Sequence, residues 1–117
     1  MRTLKFLIIN GPNLNMLKIR DNEQYGTLEL RDIENKIKDR FKEIDFEFFQ
    51  SNIEGEIVEK IQSVKNYFDG LIINPAAYSH TSVAIRDALE ICCIPKIEVH
   101  LSNLSDREDF RQRRIFL

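Results

Sequence analysis

Many of the signatures that classify a chain at sight are missing from this one. No apolar stretch approaches the roughly 20 residues that a membrane span requires. The first strand-like run, Leu4 to Ile9, begins so near the start that a charged region, an apolar region and a cleavage site cannot precede it, so no signal peptide is read and a cytoplasmic location is expected. The only cysteines, Cys92 and Cys93, are adjacent, a spacing that gives strained disulfides and offers no CxxC metal or redox pair. Both are expected to be reduced residues of the core or an interface. Seventeen basic residues stand against nineteen acidic ones, a net charge of −2 with no long like-charged block, which argues against nucleic acid as a partner. GxGxxG, GxxxxGK[ST] and GxSxG are all absent, as is any cluster of His, Cys or carboxylates at metal-ligand spacing. What remains is best fitted by a nucleotide-independent, metal-free acid–base enzyme.

What is present is a regular alternation. The 117 residues suffice for one domain, spanning 1–117, and 43% hydrophobic with 31% charged residues is the balance of an ordinary packed core. Leu4 to Ile9 reads as a first strand, followed by an amphipathic helix marked by Leu30, Ile33, Ile37 and Phe41 and capped near Thr27. Phe46 to Phe49 is a second strand, less continuously apolar and so placed at an edge; Ile57, Val58, Ile61 and Val64 mark a second helix that starts between Ser51 and Glu54. Gly70 to Ile73 has the pattern of a strand buried on both faces, Val83, Ala84, Ala88, Leu89 and Ile91 trace a third helix, and Pro95 to Val99 is a fourth strand. Ser105 to Glu108 has the S-x-x-E form that opens a last helix. Strands alternating with helices predict an α/β fold, a parallel sheet covered on both faces, because parallel neighbours need a crossover that a helix supplies.

In open sheets of this kind ligands bind beyond the carboxyl ends of the strands, where strand order reverses. Asn10 to Asn13, Asn74 to Ser82, and Glu98 to Ser102 occupy those positions, and both histidines of the chain are among them. The segment from Asn10 to Gly26 has no helical or strand period, a length that suits a binding loop or lid, and it carries Arg20 and Tyr25. A tyrosine is a base at neutral pH only where a positive charge favours its phenolate, a part open to Arg20; a packed Tyr25 and a solvated Arg20 fit the same spacing. Glu98 and His100, two apart on a strand, share a face, so that the carboxylate could orient the imidazole as a general acid or simply satisfy a structural histidine. His80 stands with Ser79, Thr81 and Ser82 at a helix start, where backbone donors favour an anion, although capping by Ser79 or Thr81 is the plainer alternative. Arg107 and Arg111 share a face of the last helix and could hold a carboxylate or lie in solvent.

Taken together, Asn10-Gly11-Pro12-Asn13-Leu14-Asn15, Tyr25-Gly26-Thr27, Gln50-Ser51-Asn52 with Glu54-Gly55-Glu56, Asn74-Pro75 through Ser82, and Ile97 through Asn103 resemble the type II 3-dehydroquinate dehydratases, in order and over nearly the whole chain. The resemblance implies a flavodoxin-like three-layer fold and a lyase that converts 3-dehydroquinate to 3-dehydroshikimate in the shikimate pathway, without metal, cofactor or Schiff base. It also implies roles. Tyr25 removes the C2 proton with Arg20 lowering its pKa, a water held by Asn13 stabilises the enolate, and His100, oriented by Glu98, protonates the leaving C1 hydroxyl. Asn74, His80, Asp87, Leu101, Ser102 and Arg111 contact the substrate. Family members form trimers packed into dodecamers, so Asp87 would act across a subunit boundary.

The chain departs from the family pattern at Lys18-Ile19-Arg20-Asp21-Asn22, where Gly-Thr-Arg-Glu-Pro is usual, and at Ala76, where glycine is usual and a positive φ would strain an alanine. After Arg111 it reads Gln112-Arg113-Arg114-Ile115-Phe116-Leu117, where the family continues into a fifth strand and a closing helix, so one edge or face of the sheet is expected to be bare. The competing expectation is a flavodoxin-like binding or assembly module that keeps the site residues without turning over.

Overall fold

Apolar runs of strand length, each followed by an amphipathic helix, can satisfy their backbone groups side by side only if every helix recrosses the sheet. The structure, a computed structural model, describes residues 2–17, 29–65 and 67–100 and has this arrangement. Its strands are β1 (Lys5–Asn10), β2 (Asp45–Gln50), β3 (Gly70–Asn74) and β4 (Lys96–Glu98), and its helices α1 (Leu30–Arg40), α2 (Glu54–Gln62) and α3 (Val83–Ile91). Short 3-10 turns follow β1 (Leu14–Met16) and β3 (Ala76–His80). All strand pairs are parallel, in the order β2-β1-β3-β4, the order of a flavodoxin-like sheet with its reversal between β1 and β3. β2 is an edge strand, as its weaker apolarity predicts.

Alternation along the strands sorts the sheet into two faces. Leu7 and Ile9 of β1 and Leu71 and Ile73 of β3 point to one side, where Ile57 and Ile61 of α2 and Ile85, Ala88 and Leu89 of α3 close over them. This is the core. On the other side Phe6, Ile8, Phe46, Phe48 and Ile72 face Ile33 and Ile37 of α1 around an apolar cavity of about 350 Å³, which reaches Asn10, Asn74 and Val99 at the carboxyl end. α1 has no fully buried residue, so this layer is the less filled of the two among the described residues.

Several boundaries differ from the sequence reading, each for a local reason. The cap of α1 is Glu29, whose backbone N–H donates to Asp32 Oδ2 at 3.0 Å; the expected Thr27 lies outside the described residues. α3 buries Ile85, Ala88, Leu89 and, just beyond it, Cys92, the i, i+3, i+4, i+7 stripe, while Val83 and Ile91 are exposed. Cys92 is buried and Cys93 exposed, both free thiols. β4 starts after Pro95, which has no N–H for the ladder but whose carbonyl accepts from Leu71 N–H at 2.9 Å. The expected helix at Ser105 to Glu108 also lies outside the described residues.

The amino ends of the strands are tied by one acid. Asp69, just before β3, accepts from Lys5 N–H at 2.8 Å and pairs with Arg2 at 2.7 Å, while its own N–H donates to the Lys5 carbonyl at 2.7 Å. The Lys5 backbone donor first, and the Arg2 guanidinium second, hold its carboxyl below the usual aspartate range.

Candidate active site

The reversal point of the sheet lies between Asn10 and Asn74, which are register partners at the carboxyl ends of β1 and β3 and are both buried. Two buried amides side by side make a polar floor at the end of an otherwise apolar face. Immediately beyond, Gly11 N–H donates to the Asn74 carbonyl at 2.8 Å, and the two loops run so close that a Cβ on Gly11 would lie 2.6 Å from the Pro75 oxygen. Only glycine fits. Asn74 Oδ1 accepts from Ala76 N–H at 3.1 Å, closing a local turn, and Ala76 sits at φ 53°, the positive φ that the missing glycine made a concern. An alanine there costs on the order of 1 kcal/mol of strain.

Asn13 is carried by the 3-10 turn after β1. Its backbone is left-handed (φ 69°), a conformation that asparagine tolerates better than most residues, and its side chain does not cap the turn. Its N–H donates to Asn52 Oδ1 at 2.9 Å, and the exposed loop is anchored on its far side by Leu14 and Leu17, both almost fully buried.

On the other side of β3, Val99 N–H donates to the Ile73 carbonyl at 2.8 Å, which carries the β4 pairing to the last described residues. Glu98 and His100 then fall on one face, as the two-residue spacing predicts, and His100 Nε2 donates to Glu98 Oε2. The Glu98 side chain is 2% exposed and that of His100 15%. A carboxylate accepts only, so Nε2 carries the proton and Nδ1 is the nitrogen left for a ligand. The buried carboxylate orients the ring, the arrangement a general acid needs.

The remaining expected residues are placed unevenly. His80 is half-buried and ends the Ala76–His80 turn rather than opening a helix; the helix that follows, α3, is capped by Ser82, whose Oγ accepts from Ile85 N–H at 3.0 Å. Neither Ser79 nor Thr81 is the cap: Ser79 Oγ turns back to the Ala76 carbonyl at 2.9 Å. The anion site expected at His80 on dipole grounds therefore loses that support. Asp87 lies on the outward side of α3 with its carboxylate 3.6 Å from Arg86 and 57% exposed, so one chain does not fold it into the strand-end group. Arg20, Tyr25, Leu101, Ser102, Arg107 and Arg111 lie outside the described residues. Among the described residues no three His, Cys, Asp or Glu side chains gather as metal ligands, and no helix is long and apolar enough to cross a membrane.

The sequence reading gave no role to Gln50, Asn52 or Tyr78, yet they join the loops around the reversal point. Gln50 Nε2 reaches the Gly11 carbonyl (3.1 Å), Asn52 Oδ1 (3.2 Å) and Asn15 Oδ1 (3.4 Å), and Tyr78 O–H donates to the Asn52 carbonyl at 2.9 Å. The available signal was position, since Gln50-Ser51-Asn52 leaves the carboxyl end of a strand.

Comparison with known proteins bears on this geometry. Residues 4–117 match the family described as Dehydroquinase class II. The chain is 54% identical over 113 residues to a 3-dehydroquinate dehydratase from a Nitratiruptor species, covering 94% of this chain and 72% of the relative. It is 51% identical over 114 residues to the enzyme of that name from a Sulfurovum species, covering 96% and 70%. Among solved structures, the type II dehydroquinase of Butyrivibrio crossotus superposes with a TM-score of 0.91 at 48% identity, over 97% of this chain and 81% of that one.

Proposed function

The chain belongs to the class II dehydroquinase family, and on that premise we propose how it removes water from 3-dehydroquinate to give 3-dehydroshikimate, a step of the shikimate pathway. The substrate lies over the Asn10 and Asn74 floor, between the loop that carries Asn13 and the His100–Glu98 pair. Tyr25, its phenolate favoured by Arg20, takes a proton from C2. The electrons move to the carbonyl oxygen, and a water held by Asn13 stabilises the enolate by hydrogen bonding. The enolate then expels the C1 hydroxyl as His100 gives it a proton, so that one water leaves and a conjugated enone remains. Asn74, His80, the Leu101-Ser102 segment and Arg111 bind the substrate, with Arg111 on its carboxylate.

The observation that carries this reading is the hydrogen bond from His100 Nε2 to the buried Glu98 carboxylate at the end of β4, two strands from Asn10 at the reversal point. Its chemistry suits donation of a proton to a poor leaving group. Asp87 acts in this scheme across a subunit boundary in a homo-oligomer of trimers, an assignment supported by its exposure on α3, and the enzyme works in the cytoplasm. The test is direct. Mixed with 3-dehydroquinate, the protein should generate the ultraviolet absorbance of the enone, and Tyr25→Phe should abolish it; a folded protein that gives no absorbance would sink the reading. Borohydride added with substrate should leave activity intact, because inactivation would mean a Schiff base on a lysine.

A further inference from the structure

The proposed mechanism uses Asn13 but leaves unexplained what fixes it. Asn13 is solvent-exposed and left-handed, on a loop held at one end by Gly11 and at the other by the buried side chains of Leu14 and Leu17. The turn holds the Asn13 carbonyl, which accepts from Met16 N–H at 3.0 Å, but neither tether nor turn binds the N–H of the peptide between Pro12 and Asn13. The group that does is Asn52. Its Oδ1 accepts the Asn13 N–H at 2.9 Å and is itself oriented by Gln50 Nε2 at 3.2 Å, while its backbone carbonyl accepts from Tyr78 O–H at 2.9 Å. One residue thereby ties the loop after β1 to the end of β2 and to the turn after β3 that contains Ala76 and His80.

We infer that Asn52 is a positioning residue for the dehydration, acting by holding the Asn13 peptide in the conformation that presents the Asn13 amide to the water at the enolate oxygen. The inference rests on the role given above to Asn13. Asn52 touches no reacting atom. It exerts its effect through a single acceptor oxygen, so its effect is confined to the step in which charge develops on the enolate. Gln50 and Tyr78 hold Asn52 in turn, and Gln50 also binds the Gly11 carbonyl and Asn15 Oδ1 on the same loop.

The acceptor requirement makes the proposal testable. Asn52→Leu keeps the size and removes the oxygen; it should lower kcat roughly 10- to 100-fold, the scale of a small misplacement in an active site, with KM little changed. Asn52→Asp keeps an acceptor for both donors and should recover most of the lost rate. Circular dichroism melts should place both variants near the parent. The deciding arm is the cycle with Asn13→Ala. If Asn52 acts through Asn13, Asn52→Leu has no further effect on kcat in the Asn13→Ala background, whereas a general support of the fold would subtract from the rate in both backgrounds. Full activity of Asn13→Ala would overturn the reading of Asn13 itself, and with it this inference. Impairment by Asn13→Ala with none by Asn52→Leu, or equal impairment by Asn52→Leu and Asn52→Asp, would overturn the role of Asn52 alone.

Discussion

The two ends of the sheet are held by different means. At the amino end, Asp69 clips β1 to the segment before β3 through a backbone bond in each direction, and Arg2 closes the pair. The groups there neutralise one another, although Lys65, in the loop before β3, has a positive φ of 25°. At the carboxyl end the chain crowds backbone against backbone at Gly11 and Pro75, holds Asn13 and Ala76 at positive φ, and buries the Asn10 and Asn74 amides and the Glu98 carboxylate. Most of the expensive features among the described residues gather at the end proposed for the chemistry, which is what a site preorganised against its own folding preferences looks like.

That contrast makes opposite predictions for changes at the two ends. The largest effect belongs to His100→Gln. Glutamine keeps an amide donor where Nε2 reaches Glu98 but has no proton to give, so kcat should fall by about 100-fold or more while the melting temperature moves little. Steady-state kinetics paired with thermal melts checks it, and equal losses of rate and stability would erase the distinction between the ends. Next comes Gly11→Ala. Its Cβ would sit 2.6 Å from a backbone oxygen that cannot swing aside, so the loops must part, at a cost of about 1–3 kcal/mol in a denaturant titration and with a loss of activity.

Asp69→Asn should act at the amino end alone. Because the carboxyl of Asp69 is held below its ordinary value in the folded chain, it adds stability that is complete above the ordinary aspartate range and is lost as pH falls through the folded value. The variant should melt lower than the parent at neutral pH, converge with it in acid, and keep the parent kcat. The smallest effect is Ala76→Gly. Relief of the positive φ is partly offset by the freedom glycine gains in the unfolded chain, leaving a stabilisation of about 0.5 kcal/mol. A titration precise to a few tenths would resolve it.

Much of the fold was readable because it depends on periodicity. The run at Leu7 to Ile9, the weaker strand at Phe46 to Phe49 and the stripe at Ile57 and Ile61 could bury their apolar groups in only one arrangement, and the edge position of β2 followed from composition alone. The site was readable where it depends on strand geometry, as at Glu98 and His100, whose shared face is a consequence of the two-residue repeat. It was not readable where turns decide. Ser79, Thr81 and Ser82 are all good caps in isolation, and only the 3-10 turn at Ala76–His80 moves the start of α3 to Val83 and leaves Ser82 in the capping place. The bond between Asn13 and Asn52 joins residues 39 apart, brought together by the register of β1 and β2, and no local pattern announces it.

The carboxyl end of this sheet is proposed as a proton-transfer site for dehydration, with His100 as the acid. The measurement that tests it most directly is the rate at which enone absorbance grows when the chain meets 3-dehydroquinate, compared with His100→Gln at the same concentration and with matched melting temperatures. Steady growth for the parent and almost none for the variant is the predicted result. Equal rates for the two, or a flat trace from a fully folded parent, would contradict it.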